Sequence, residues 1–112
     1  MRKLLGLLVV SLCLPCVTLA ATWEKVSLVD QMCASKVKDH PDKHPTSCLL
    51  KCADSGYGIQ TADGTWVKLD AAGNKLALAE LKRTAKKDGI RVDVSGEKKG
   101  DVIQVSSLKI AD

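Results

Sequence analysis

The strongest constraint on the fold lies near the C-terminus, where IRVDVSG and DVIQVSSLKI both alternate apolar with polar residues. In the first run Ile90, Val92 and Val94 oppose Arg91, Asp93 and Ser95; in the second, Ile103 and Val105 set the apolar row. A period of two assigns each row to one face of a strand, and Glu97-Lys98-Lys99-Gly100 separates the two runs. The segment therefore predicts a hairpin with its apolar face inward. Leu108 falls off the row, which predicts a bulge near Ser106-Ser107.

Upstream, WEKVSLVD reads as a strand, with Val26 and Leu28 in one row. Residues 57–61 and 65–69 are two short strand-like runs around Ala62-Asp63-Gly64, where Asp-Gly is a hairpin-turn signal. In the second run Val67 and Leu69 point one way. Trp66 and Lys68 point the other, toward solvent or a binding face. Asn74 is placed to cap a helix through KLALAELKRTAKKD, ended by Gly89, with Leu78, Leu81 and Ala85 as its buried stripe. Lys82, Arg83, Lys86 and Lys87 then decorate a solvated face. PTSCLLKCADSG reads as a short helix, with Pro45 in its first turn and Gly56 after its end.

The chain opens MRKLLGLLVVSLCLPCVTLA, a basic start, an apolar run of secretory length and small residues at Thr18 and Ala20. This is the pattern of a signal peptide, expected to be removed after Ala20. Pro15 interrupts the run, which falls short of the roughly 20 apolar residues a spanning helix wants. The expectation is a periplasmic or secreted protein with no membrane span after cleavage. Cys13 and Cys16 would leave with the leader.

Residues 21–112 then form one small domain, with 31–56 a cysteine-containing insertion. Loss of Arg2 and Lys3 with the leader lowers the net charge from +4 to +2, and only Trp23, Tyr57 and Trp66 are aromatic. So small a charge, with no set of stacking rings, argues against a nucleic-acid partner. A core this small would also benefit from a covalent or metal staple.

The order is strand, cysteine segment, strand, strand, helix, strand, strand. That predicts a mainly β fold with two short helices: a five-stranded OB-like Greek-key barrel, with a helix between strands three and four plugging one end. The chain resembles a loosely defined group of small exported bacterial proteins with a single OB-like domain and a cysteine-containing insertion after the first strand. The shared features are Val29-Asp30-Gln31-Met32-Cys33, Cys48-x3-Cys52 followed by Gly56, and Val92-Asp93-Val94-Ser95-Gly96 paired with Val102-Ile103-Gln104-Val105. The resemblance implies the fold and carries no catalytic residue with it. The face that such barrels use for ligands would be the second and third strands, with Gln60, Trp66 and Lys68 as contacts.

CASKVKDHPDKHPTSCLLKC, residues 33–52, holds the three cysteines of the mature chain and both histidines. In an oxidising compartment three cysteines suggest one disulfide and one leftover thiol. Cys48 and Cys52 stand one helical turn apart, so a link between them would constrain almost nothing, whereas either could join Cys33. Closing a loop of about 15 residues is worth about 3 kcal/mol. Spacing does not choose the partner.

Cys33, His40, His44, Cys48 and Cys52 are also the ligand types that hold zinc or copper. A third reading is a redox thiol at Cys48, favoured by its place in the first turn of a helix. The carboxylates, Asp30 among them, fall at predicted strand ends and turns, where backbone hydrogen bonds explain them. No pair is placed as a general acid and base, and no Gly-rich phosphate loop is present. The expected function is accordingly an exported, non-catalytic OB-like binding or interaction module without a cofactor, stapled by a disulfide. Its partner would be a small molecule or protein of the cell envelope. The alternatives are a zinc- or copper-binding protein and a redox-active thiol protein.

Overall fold

The C-terminal alternation forms the longest ladder of the protein. In the computed structural model, which describes residues 20–111, β4 (Arg91–Lys99) and β5 (Val102–Ile110) pair antiparallel. Val92, Val94, Ile103, Val105 and Leu108 are buried. Ser95 pairs with Ser107 and Gly96 with Val105, so Ser106 is the extra residue of a bulge that returns Leu108 to the inner face. The leader expected over 1–20 lies, except for Ala20, outside the described residues.

Three more strands complete a closed barrel: β1 (Ala21–Asp30), β2 (Tyr57–Gln60) and β3 (Trp66–Leu69), in the order β1-β2-β3-β5-β4. All neighbours are antiparallel except β3 and β5, which run parallel through Lys68 opposite Val102 and Leu69 opposite Ile103. β1 bridges β2 and β4, and its register against β4 shifts between Trp23 and Val26. Lys25 sits there at φ 50°, with its N–H donating to Asp93 Oδ1 at 2.9 Å. The β2–β3 turn forms as its residues predict: Gly64 takes φ 85°, and the Asp63 carboxylate accepts from the Thr61 hydroxyl and the Thr65 N–H. Those bonds, the Thr61 one foremost, hold Asp63 below the usual carboxylate range.

α2 (Ala71–Arg83) lies between β3 and β4 in the chain and departs from the expected helix at both ends. Its cap is Asp70, whose side chain accepts from the Gly73 N–H at 2.9 Å. Asn74, inside the helix, instead accepts from the Tyr57 N–H through Oδ1. The buried stripe is Gly73, Ala77 and Leu81, with Leu78 half-buried and Ala85 exposed beyond the helix end. Small residues at that stripe let the helix come close to the barrel: a Cβ on Gly73 would stand 2.5 Å from Val105 Cγ2.

The helix stops early because the next segment has other partners. Thr46 N–H donates to the Lys87 carbonyl at 2.8 Å and Thr46 Oγ1 to the Lys86 carbonyl at 2.8 Å. Pro45 and Asp88 form an isolated bridge. Long-range pairing therefore overrides the helix propensity of TAKKD.

The long connection between β1 and β2 contains α1 (Thr46–Lys51), flanked by short 3-10 turns at Gln31–Cys33, Pro41–Lys43 and Ala53–Ser55. Pro45 sits one residue ahead of α1 with extended backbone rather than inside it, and Gly56 ends the unit at φ 87°. The connection folds back on the barrel, which is why Ser27 to Asp30 are all buried where simple alternation would bury every second residue. No helix among the described residues is long and apolar enough to cross a membrane.

Candidate functional site

β1 ends at Asp30, which becomes the hub of the connection. Its Oδ2 accepts the Cys33 N–H at 3.0 Å, capping the Gln31–Cys33 turn. Its Oδ1 accepts the Nε2–H of His44 at 2.7 Å. Asp30 is fully buried and His44 nearly so. A carboxylate removed from water is costly unless it is paired and hydrogen-bonded, and these bonds are what make its position tolerable. His44 is delivered by the Pro41–Lys43 turn and anchored by its own carbonyl, which accepts the Gly89 N–H at 3.3 Å.

Cys33 and Cys52 flank the same carboxylate. Among the described residues, one ligating atom each from Asp30, Cys33 and Cys52 fall within 4.8 Å of one another. Burial first, and the Asp30 carboxylate second, push both thiols above their usual range. Tyr57 lies nearby in the core; burial and Asp30 push its phenol up to about 12, and its O–H donates to the Leu49 carbonyl at 2.7 Å. That bond ties α1 to β2.

Sequence spacing named Cys33, His40, His44, Cys48 and Cys52 as one set, and the fold divides them. Cys33, His44 and Cys52 meet around Asp30. Cys48, one turn before Cys52, lies outside the group of mutually close ligating atoms. His40 is exposed at the start of the Pro41–Lys43 turn and makes no side-chain capping bond.

All three cysteines are free thiols, so the expected disulfide does not close the segment in this structure. Hydrogen bonds hold it instead: the Asp30–His44 pair, the Thr46 bonds to Lys86 and Lys87, and the Arg91 guanidinium on both oxygens of Asp42 at 2.9 Å.

Asp30 is the residue that sequence reasoning missed, having set it aside as a turn carboxylate. It is a turn carboxylate, since it caps Cys33. The signal that separates it from the chain's other aspartates is that it ends an apolar strand three residues before a cysteine.

A second feature lies on the face nominated for ligands. A groove of about 400 Å³ runs between the connection and the β2–β3 hairpin, its polar and aromatic lining supplied by Ser35, Lys38, Gln60, Asp63, Thr65 and Trp66. The Trp66 ring crosses Gly58 so that its Nε1–H donates to the Val29 carbonyl at 3.1 Å. A Cβ on Gly58 would stand 2.3 Å from that ring and 2.5 Å from the Val67 carbonyl oxygen, so the close approach requires glycine. Gln60 is fixed as well, donating through Nε2 to the Lys38 carbonyl at 2.7 Å. Lys68 lies outside the groove, exposed on β3, and Lys38 supplies the ammonium there.

Comparison with family models, curated proteins and solved structures finds no match to this chain.

Proposed function

We propose that the chain is an exported, non-catalytic binding module with an OB-like Greek-key barrel, whose ligand lies in the groove beside Trp66. The observation that carries this reading is the preorganised groove. Its aromatic ring and its amide are already held in place by backbone carbonyls, so little side-chain freedom remains to be lost on binding. One aromatic face beside an ammonium, the Asp63 carboxylate and the hydroxyls of Ser35 and Thr65 suits a small polar molecule or a short peptide segment of an envelope protein.

The strand order, the parallel β3–β5 contact and the position of α2 after β3 support the OB-like assignment. In barrels of that kind the second and third strands and the first connection form the ligand face. The resemblance to small exported bacterial proteins, together with the leader-like opening, supports the periplasmic or secreted location.

The arrangement around Asp30 argues against catalysis. A nucleophile needs a base within reach, with a third group orienting the base. Here the carboxylate orients the His44 ring, but among the described residues no thiol or hydroxyl is hydrogen-bonded to that ring as a nucleophile would be, and both neighbouring thiols are pushed up, away from thiolate. A redox-thiol function is disfavoured on the same ground.

The test is Trp66 emission in the W23F protein during titration with soluble oligosaccharides and with short peptides. A saturable change that K38A and Q60A each weaken supports the groove. Absence of any response to either ligand class, with Trp66 still accessible to a neutral quencher, refutes it.

A further inference from the structure

The groove leaves unexplained why a wholly buried carboxylate and two thiols should converge at the end of β1. Capping Cys33 requires one oxygen of Asp30, and an exposed aspartate at a strand end would do that equally well. Instead three separate elements each deliver one ligating atom: Asp30 from the end of β1, Cys33 from the turn after it, and Cys52 from the end of α1. Each of those atoms keeps capacity to spare. An ionised carboxylate accepts at about four positions; N–H groups occupy one on each oxygen of Asp30, and the Cys33 and Cys52 thiols, which also hydrogen-bond to it, give up those places on losing their protons to a metal.

We propose that Asp30, Cys33 and Cys52 bind one zinc-class divalent metal ion, with His44 orienting the Asp30 carboxylate from behind. This proposal is independent of the groove reading. Zn–S bonds of about 2.3 Å and Zn–O bonds of about 2.0–2.2 Å in a tetrahedral site put ligand atoms about 3.5–3.8 Å apart. The three atoms here already lie within 4.8 Å of one another, so closing onto an ion requires at most about 1 Å of movement, a side-chain adjustment.

The donor set selects the class of ion. Two sulfurs with one oxygen and an imidazole behind suit zinc or its cobalt surrogate, and do not suit the all-oxygen shells of calcium and magnesium. The carboxylate ligand, a hard donor, disfavours cuprous ion.

His44 takes the part that outer-shell groups take in metal sites, with the usual roles exchanged: the carboxylate is the ligand and the imidazole fixes its orientation. The fourth position would be left to solvent, because Cys48 lies outside the converging group. A metal bridging Cys33 to Cys52 would also join the start of the connection to its end. A Cys33–Cys52 disulfide would consume the same two sulfurs and a Cys33–Cys48 disulfide one of them, so either link to Cys33 excludes the metal-bound state.

The experiment uses the full chain, exported with its own leader and purified without chelator, with Co(II) and then Zn(II) as probes. One equivalent of Co(II) is expected to give a sulfur-to-cobalt charge-transfer band and tetrahedral d–d bands, both bleached by one equivalent of Zn(II). C33S and C52S should each weaken binding by more than about 100-fold, and H44A by roughly 10- to 100-fold, the range for outer-shell groups. C48S and H40A should leave binding within about twofold, since neither side chain is a ligand in this proposal.

If a serine variant fails to fold, alkylation mapping of the wild-type protein decides: Zn(II) should protect Cys33 and Cys52 while Cys48 is modified. Four results overturn the proposal: no saturable charge-transfer band, unchanged binding in folded C33S or C52S, loss of binding in C48S, or a chain recovered with a Cys33–Cys52 disulfide that binds Co(II) equally well.

Discussion

Replacing His44 by alanine removes the partner of a fully buried carboxylate, and the structure fixes the scale of the effect. His44 Nε2 stands 2.7 Å from Asp30 Oδ1, with both side chains away from solvent. A surface pair would contribute about 0–1 kcal/mol. Losing one neutral hydrogen bond would cost about 0.5–1.5 kcal/mol. Breaking a buried pair, with only the Cys33 N–H and the weak thiol donors of Cys33 and Cys52 left to the carboxylate, should cost about 3–5 kcal/mol.

A domain of this kind has about 5–15 kcal/mol in total, so the loss is a large share of it. At roughly 4–8 °C per kcal/mol for a chain of this length, the melting temperature should fall by at least about 12 °C. Urea unfolding in reductant and chelator, which removes any metal contribution, measures the cost, with H40A as a control expected within about 0.5 kcal/mol. In the D30N background, where no carboxylate charge is stranded, H44A should cost about 1 kcal/mol. A cost below about 1 kcal/mol in the wild-type background, with an unchanged denaturant slope, would refute the view that His44 is what makes a buried Asp30 tolerable.

Gly58→Ala should lose about 1–3 kcal/mol or more in the same assay and shift Trp66 emission, because the new methyl meets both the indole ring and the Val67 carbonyl. Lys25→Gly should raise stability by up to about 1 kcal/mol at the β1 bulge, since φ 50° strains any residue with a Cβ; a loss would show that the lysine side chain packs usefully there. Glu80 is held below its usual value of 4.5, chiefly by the Ile110 N–H at 3.0 Å. A depressed folded value means that its stabilisation is present above the unfolded value and lost as pH falls through the folded one. E80Q should therefore flatten the acid limb of a stability–pH curve below about pH 4.5 and change little of its slope above. D42N, which breaks the exposed fork between Arg91 and Asp42, should cost about 0–1 kcal/mol at low salt and less in 1 M salt, read as the shift in urea midpoint.

The parts of the fold that were legible in the sequence are those where local pattern and tertiary demand agree. The β4–β5 alternation, the bulge at Ser106, the turn at Gly64 and the stop at Gly56 each follow from a period or from a residue with few conformational choices. The helix bounds were not legible, because Asp70 and Asn74 are both competent caps and only the fold assigns Asn74 to the Tyr57 N–H. The early end at Arg83 was hidden for a similar reason. Nothing within TAKKD itself reveals that its carbonyls are needed by Thr46, some 40 residues away.

The site shows the same limit more sharply. The cysteines and histidines were visible as ligand types, but helical spacing grouped Cys48 with Cys52 and His44, whereas proximity groups Cys52 with Cys33 and Asp30. Asp30 escaped because the bland account of it is correct: it caps a turn, as strand-end aspartates do. What separates a cap from a hub is burial, since a cap works in water and a buried carboxylate must be balanced by something. His44 supplies part of that balance, and two thiols flank the same carboxylate within ligating distance. One aspartate thus caps the turn after β1, draws the connection onto the barrel through His44, and faces both thiols. A substitution there, or at His44, would disturb fold and site together, which is why the neighbouring cysteines are the better places to separate the two.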